Sequence, residues 1–383
     1  MIALALGVLA AVTATAMPYR PEEDDTVLER VPERTDLERL APLRAAVAAH
    51  PNDLTAALTL ATQYIEVGRR NSDPRLVAYA QATLLPWTAR PRPPEQVLVL
   101  QATALQYLHR FDEALVLLER ALALQPLDGQ AWLTRASLLE LRGDYPQARR
   151  ACARLVRSAD EFTALTCLRS VDGRNGRLAV SYASLESAQL DPRLPAALRA
   201  WRMVVIAEMA ERLGEDQAAE ANLAAALRAA GDDPYIKATY ADLLLRLGRP
   251  QEVLTLLKGD ESQDPLLLRL AIAALRAGSP EAARWAQAYA QRLAAAERDR
   301  DYTHLREQAL YLLDVRGDAR AALKAAARNW ALQREPPDVR VYVRAALQAH
   351  SDADQAAIVS WLAASHYEDR SLPRISSDSA RPM

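Results

Sequence analysis

The sequence contains little glycine, phenylalanine, cysteine and lysine for its 383 residues. It has 12 Gly, 2 Phe and 2 Cys, and its only lysines are Lys237, Lys258 and Lys324. Scarce glycine with abundant Ala and Leu is typical of closely packed helices, which argues against a sheet protein or a flexible low-complexity chain. The excess of arginine over lysine indicates a GC-rich bacterial genome.

Motifs of common enzyme and metal sites are also missing. No Gly-x-Ser-x-Gly turn occurs, and the glycine pair Gly173 and Gly176 lacks the Lys and Ser/Thr of a phosphate-binding loop. No metal-ligand spacing relates the five histidines, which are His50, His109, His304, His350 and His366. We therefore expect no enzyme, no catalytic residue, no metal and no cofactor, and we interpret the histidines as surface or helix-end residues.

The charge is nearly balanced, with 47 basic and 49 acidic residues and a formal net charge of -2. A protein that binds a phosphate backbone needs a basic excess, so nucleic acid is not an expected partner.

The N-terminus resembles a secretory signal peptide. Residues 1–16 are uncharged, mostly apolar and end in Ala-Thr-Ala, although a basic segment before the apolar run is missing. The alternative is an N-terminal membrane anchor, but the run is shorter than the roughly 20 residues that cross a bilayer. The sequence predicts export to the periplasm or outside the cell, with no membrane insertion after cleavage, and an acidic, Pro-rich linker at 17–35.

A pattern of large and small residues recurs at a spacing of 34 positions. Leu98 and Ala102 correspond to Trp132 and Ala136, and a second match relates Ala207 to Ala241. Small residues let two helices approach closely, while the large ones fill the space around them. Glycines are expected in the left-handed conformation at the turn after each first helix; they are Gly143, Gly214, Gly248, Gly278 and Gly317.

These residues resemble the tetratricopeptide repeat (TPR) family. The resemblance rests on the stretch 111–126 (FDEALVLLERALALQP), on residues 132–148 of the next pair and on 214–250. It implies an all-α, right-handed superhelical solenoid of antiparallel helix pairs. We predict about nine pairs, preceded by one capping helix at Asp36–Ala49.

The array is expected to contain one seam and a loose end. The pair around 172–176 has lost its consensus residues, so a boundary near Asp191–Pro195 would divide an N-terminal array, 36–190, from a C-terminal array, 191–370. The tail 371–383 is predicted to be disordered.

Two interpretations of the cysteines remain open. Cys152 lies on the second helix of the third pair and Cys167 on the first helix of the fourth, and such helices touch. The pair could form one disulfide in an exported chain, or it could be two buried thiols that fill helix seams.

The resemblance also implies where a ligand would lie, along the concave face formed by the first helices. Matching positions there are Gln106, Tyr107, Trp201, Glu208, Arg212, Tyr235, Asp242, Arg246, Glu307 and Tyr311. Glu208 with Arg212 recurs as Asp242 with Arg246. We interpret these either as ordinary ion pairs along a helix or as a polar ladder that aligns a partner. Trp201 is either a partner anchor or a core residue.

The resemblance therefore implies a scaffold that binds another protein, as a peptide or helix, in the concave groove within the bacterial cell envelope. One alternative is an enzyme accessory or small-ligand-binding protein that uses the irregular centre, Phe162–Pro195. A weaker alternative is self-association through an exposed terminal repeat.

Overall fold

The computed structural model describes residues 35–189, 191–298 and 304–375. In these ranges the backbone forms 20 α-helices and no strand. The helices are α1 (Thr35–Arg39), α2 (Ala41–Ala49), α3 (Leu54–Asn71), α4 (Pro74–Thr88), α5 (Glu95–Tyr107), α6 (Phe111–Leu124), α7 (Gly129–Leu141), α8 (Tyr145–Leu155), α9 (Glu161–Gly173), α10 (Leu178–Ser187), α11 (Ala196–Leu213), α12 (Asp216–Ala230), α13 (Pro234–Arg246), α14 (Pro250–Leu256), α15 (Asp264–Ala277), α16 (Ala282–Arg298), α17 (Leu305–Asp314), α18 (Ala319–Leu332), α19 (Pro336–Gln348) and α20 (Asp352–Ser365).

From α3 onward, the described helices form nine consecutive pairs, from α3 with α4 to α19 with α20. The two helices of each pair pack against each other, and neighbouring pairs also pack, as α6 does on α7 and α8 on α9. The predicted all-α array of antiparallel helix pairs is therefore confirmed. The pairs stack because a single pair could not bury its apolar side alone.

Most of the predicted N-terminal segments lie outside the described residues. This holds for the signal peptide, 1–16, and for the linker, 17–35, except that its last residue, Thr35, begins α1. By its contacts the chain divides into two compact units, Met1–Ala41 and Pro42–Met383, and the nine pairs belong to the second.

The structure changes one predicted boundary and leaves another as a prediction. The capping helix expected at Asp36–Ala49 is broken into α1 and α2 at Leu40. Pro42 has no N–H to donate to the carbonyl of Glu38, so a continuous helix loses a hydrogen bond there. The seam expected at Asp191–Pro195 falls inside the second unit, where α10 packs against α11, and it stays a prediction.

The turns inside the pairs follow the predicted register. All five glycines aligned in the sequence have positive φ, between 66° and 80°. His109 and His350 occupy the corresponding place after α5 and α19, with φ of 55° and 53°. The side chains of Asp53 and Asp128 cap α3 and α7 by accepting from backbone N–H groups.

The small positions bring the helices together. Ala102, Ala136 and Ala241 are fully buried at the centres of first helices, where a larger side chain would separate the packed pairs.

Cys152 on α8 and Cys167 on α9 form a disulfide, with their Cα atoms 5.5 Å apart. Of the two interpretations left open by the sequence, the structure therefore has the bridged one. Both residues are buried in the apolar cluster that joins the third pair to the fourth.

Reduction of this disulfide is expected to lower the free energy of unfolding by about 3 kcal/mol, because the bond closes a loop of 15 residues in the unfolded chain. Urea unfolding with and without dithiothreitol measures the loss. The matched control, Cys152→Ala with Cys167→Ala, should be insensitive to the reductant. Identical curves for the native protein, together with two free thiols after denaturation, would contradict the prediction.

Candidate functional site on the first-helix face

The ten residues predicted to bind a partner all lie on first helices of pairs, namely α5, α11, α13 and α17. We call the surface formed by α5, α7, α9, α11, α13, α15, α17 and α19 the first-helix face. Arg212, Glu307 and Tyr311 are buried in it, whereas Tyr235 and Arg246 are exposed. The other five are half-buried; they are Gln106, Tyr107, Trp201, Glu208 and Asp242.

The predicted acid-base pairs do not form within their helices. Glu208 accepts from Arg174, with Nη2 3.0 Å from Oε1, and Asp242 accepts from Arg269, with Nη2 2.8 Å from Oδ2. The interpretation as ion pairs along one helix is corrected, because the carboxylates bind arginines of the neighbouring helix pair instead of the arginine four residues later. The polar ladder that aligns a partner stays a prediction. The contacts join successive pairs of the array.

Two of the predicted aromatic residues serve packing. Tyr311 stacks at an angle on Tyr289, with ring centroids 5.2 Å apart. Trp201 packs against two apolar clusters, one with Cys152 and one with Met209. The hydroxyl of Tyr107 donates to the carbonyl of Gly68, 3.2 Å away.

One buried arginine connects three successive first helices. Arg174, which follows α9, lies 3.2 Å from Glu140 of α7 and 3.0 Å from Glu208 of α11. The hydroxyl of Ser170 also donates to Glu140, over 2.7 Å. Burial raises the pKa of Glu140 although Arg174 opposes that change, whereas the nearby carboxylates hold the pKa of Arg174 well above its usual value despite burial.

A second group of charges joins α13, α15, α17 and α19. Arg269 is buried between Asp242 and Glu307, and Arg306 contacts Glu307 and Asp338. Burial alone would raise the pKa of Glu307, but Arg306 and Arg269 hold that pKa well below its usual range. These charges are buried with partners, as buried charges must be.

Tyr235 is the one aromatic residue of the predicted set that is exposed, with 44% of its surface accessible. It lies at the start of α13 in a strongly charged environment. The charge of Glu335 is the largest cause that holds the pKa of its hydroxyl well above the usual range. Its exposure leaves Tyr235 available to a partner.

A non-helical stretch of the chain itself, which ends in a turn at residues 370–372, is seated beside these residues. We call His366–Leu372, which follows α20, the C-terminal segment. Arg212 donates to the carbonyl of Glu368 over 2.9 Å, and its guanidinium lies 4.3 Å from the ring centroid of Tyr367. In return, the N–H of Arg370 donates to the carbonyl of Arg212 over 2.8 Å. Arg212 is thus fully buried beneath the chain's own polypeptide.

Arg340 of α19 holds the other side of the C-terminal segment. It donates to Glu211 over 2.7 Å and to the hydroxyl of Ser371 over 3.0 Å. The carboxylate of Asp369, which is fully buried, lies 3.4 Å from the same guanidinium. The predicted disorder from residue 371 is corrected for 371–375, since these residues are described and Leu372 and Ile375 pack on the core; residues 376–383 lie outside the described part.

The last helix pairs also contact the middle of the array. The N–H of Arg334 donates to the carbonyl of Leu141 over 2.7 Å, and Trp361 of α20 packs on the cluster of the third pair. A Cβ on Gly176 would lie 2.9 Å from the Cβ of His366. The terminal repeat is thus covered along this side, which weakens the prediction that it is an exposed surface for self-association.

The same contacts explain why the fourth pair departs from the repeat consensus. Gly173 provides the carbonyl that accepts from Arg212 over 2.7 Å, and a Cβ there would meet Met209 at 2.8 Å. Gly176 has a φ of 77°. Gly173 and Gly176 therefore allow the close approach of α11 and of the C-terminal segment.

Comparison with known proteins agrees with this repeat. The tetratricopeptide repeat family model matches residues 107–165. The chain contains tetratricopeptide repeats. Comparison with curated protein sequences gives no match.

Two solved TPR-like structures are similar at low identity. The first, from the crystal structure of the APC/C hetero-tetramer Cut9-Hcn1, is 15% identical with a TM-score of 0.42. It is matched over 81% of this chain, which spans about half of that protein, 52%. The second is the TPR domain of P58(IPK), 14% identical with a TM-score of 0.21, matched over 83% of this chain and 95% of that one.

Two cavities of the described residues lie outside the irregular centre, Phe162–Pro195. One of about 270 Å³ lies between α6, α7 and α8 and includes Trp132 and Arg154; the other, of about 150 Å³, includes His109 and Leu332. Among the described residues, no helix is long and apolar enough to cross a bilayer. No group of three or more acidic, His or Cys side chains is arranged there to hold a metal.

The sequence did not identify Arg174, Arg340 or Tyr367 as part of the site. Arg174 carried one signal, since it stands between the two glycines of the irregular pair. Arg340 and Tyr367 carried none, because their partners Glu211 and Arg212 lie more than 100 residues away along the chain.

His109 provides a pH test of this face. Burial, helped by the charges of His304 and Arg306, lowers the pKa of His109 to about 4. The unfolded value is about 6.5, so the unfolded chain binds more protons between these values. The part of the free energy of unfolding that depends on neutral His109 is therefore expected to be fully present above about pH 6.5. It should be lost as the pH drops toward 4.

Melting temperatures between pH 7.5 and 4 measure the effect. In His109→Asn, which tolerates the left-handed backbone, the decline should be shallower than in the native protein. His50→Asn at an exposed site is the control and should keep the native slope. An unchanged slope in His109→Asn would show that this imidazole is not held neutral.

Proposed function

We propose that the chain is a protein-binding scaffold that holds an extended segment of a partner protein on its first-helix face, in the bacterial cell envelope. The observation that carries the proposal is the seat around Arg212, where a non-helical stretch of polypeptide already binds through its backbone and side chains. Main-chain hydrogen bonds give affinity for any extended peptide, and side-chain seats select among them.

Two features support the envelope as the location. Residues 1–16 have the composition of a signal peptide. The disulfide between Cys152 and Cys167 belongs to the kind of bond that persists in oxidising compartments and is rare in the cytosol.

Tyr235 is the residue with which to test partner binding, because it is the one exposed aromatic residue of the predicted set. Arg246 is less suitable, since it pairs with Glu211 and Asp216 and holds the fold.

Tyr235→Ala is expected to reduce partner capture at least tenfold without changing the melting temperature, since an exposed aromatic anchor contributes to binding and little to folding. The measurement is quantitative mass spectrometry of proteins captured from envelope extracts by the immobilised chain. Tyr79→Ala on α4, an equally exposed tyrosine of a second helix, is the matched control and should capture as the native protein does. Equal capture by both variants would exclude this face, and no specific capture by the native chain would exclude the scaffold.

A further inference from the structure

The C-terminal segment fills its seat in the manner of a bound peptide. It begins after the last residue of α20, so its departure requires no helix to unwind. Its contacts alternate along three successive residues: the ring of Tyr367 lies on Arg212, the carbonyl of Glu368 accepts from Arg212, and the carboxylate of Asp369 faces Arg340. A contact made by side chain, backbone and side chain in turn is the pattern of peptide recognition.

The fit of this occupant is incomplete. Nη1 of Arg212 and Nη2 of Arg340 are buried and have no hydrogen-bond partner among the described residues. A buried donor without an acceptor destabilises the state that contains it, and a charged donor does so more strongly. Both arginines thus retain a donor for an acceptor that the C-terminal segment does not supply.

We propose that the C-terminal segment is a displaceable internal ligand, and that the partner it keeps out is an extended acidic peptide with an aromatic residue two positions before an acidic one. This inference rests on the proposed function and names the partner class of the same face. The aromatic ring would replace Tyr367 on Arg212, and the carboxylate would replace Asp369 at Arg340. Additional carboxylates would supply the acceptors that the two arginines lack.

Because the seat is occupied by a tethered segment, a partner must exceed a threshold affinity in order to bind. A short tether holds its end at an effective concentration of the order of millimolar, so a free peptide competes only if it binds tightly or the segment is weakened. Apparent affinity falls in proportion to the fraction of molecules with an open seat.

The test uses the full chain and a fluorescent peptide with the sequence of residues 364–374 (ASHYEDRSLPR). The double variant Tyr367→Ala with Asp369→Ala weakens the internal ligand. Fluorescence anisotropy is expected to show the peptide binding to this variant at least tenfold more tightly than to the native chain. A peptide with the same two alanines should bind neither protein.

Failure of a folded double variant to bind the peptide, or equal binding by both proteins, would overturn the proposal. It would leave the proposed function standing if Tyr235→Ala still loses the captured partner, because that assay does not depend on the identity of the internal ligand.

A second measurement needs no variant, in case the double substitution impairs folding. Native-state hydrogen exchange should show the amides of 367–372 exchanging at least 100-fold faster than the core amides of α11, through local opening. The amide of Arg370, bound to the carbonyl of Arg212, is the most direct reporter. Exchange of these amides only together with α11 would show that the segment is a permanent part of the fold and would overturn the proposal.

Discussion

Replacing Arg212 with alanine is expected to lower the free energy of unfolding by about 3 kcal/mol. A hydrogen bond to a charged group contributes about 1.5–3 kcal/mol and a desolvated cation–π contact about 2. Arg212 makes two such hydrogen bonds, to Gly173 and Glu368, and one such contact, to Tyr367. Relief from burying a charged group offsets part of this sum.

Urea unfolding measures the loss, and the repeat supplies a matched control. Arg246 stands 34 residues later at the corresponding position of α13, but it is exposed and binds only carboxylates. Arg246→Ala should therefore lose no more than about 1 kcal/mol, as exposed ion pairs do. Equal losses in the two variants would mean that Arg212 does not secure the C-terminal segment.

Arg269→Ala is expected to have the second large effect, a loss of about 3–5 kcal/mol near neutral pH. Removal of this guanidinium leaves the buried carboxylate of Glu307 with only part of its compensation. Arg276→Ala, on the same helix, is the control. Arg276 is more exposed and pairs with Asp314, so its loss should stay below about 1 kcal/mol.

The difference in free energy of unfolding between the native protein and Arg269→Ala should depend on pH in a definite direction. In the folded protein the pKa of Glu307 lies well below its unfolded value of about 4.3, so the stabilisation is complete above that value. It is lost as the pH falls toward the folded pKa. The gap between the native protein and Arg269→Ala, measured by urea unfolding, should therefore shrink below about pH 4. A gap that stays constant down to pH 3 would contradict the role given to Glu307.

The fold could be predicted from sequence because its determinants are local and periodic. Ala102 and Ala136 recur at the spacing of the helix pair, and Gly143 stands where the backbone needs positive φ. Each helix pair contacts mainly its neighbours, so a repeated pattern specifies a repeated structure. The number of pairs followed directly from that register.

The occupation of the candidate site could not be predicted in this way. Arg212 was assigned to an open groove, and it does lie on the first-helix face, but the groove position is covered by Glu368 from 156 residues away. Contacts of that separation have no period in the sequence. The arginine partners of Glu208 and Asp242 were missed for a related reason, since their choice depends on how adjacent pairs stack.

A double-mutant cycle between Arg212 and Tyr367 tests the central claim most directly. That claim is that the first-helix face binds the chain's own C-terminal segment. The free energies of unfolding are measured for Arg212→Ala, Tyr367→Ala and the double variant. Residues in contact couple, and we expect an interaction energy of about 1–2 kcal/mol for this buried pair. Losses that add to within about 0.5 kcal/mol, as those of distant residues do, would contradict the account.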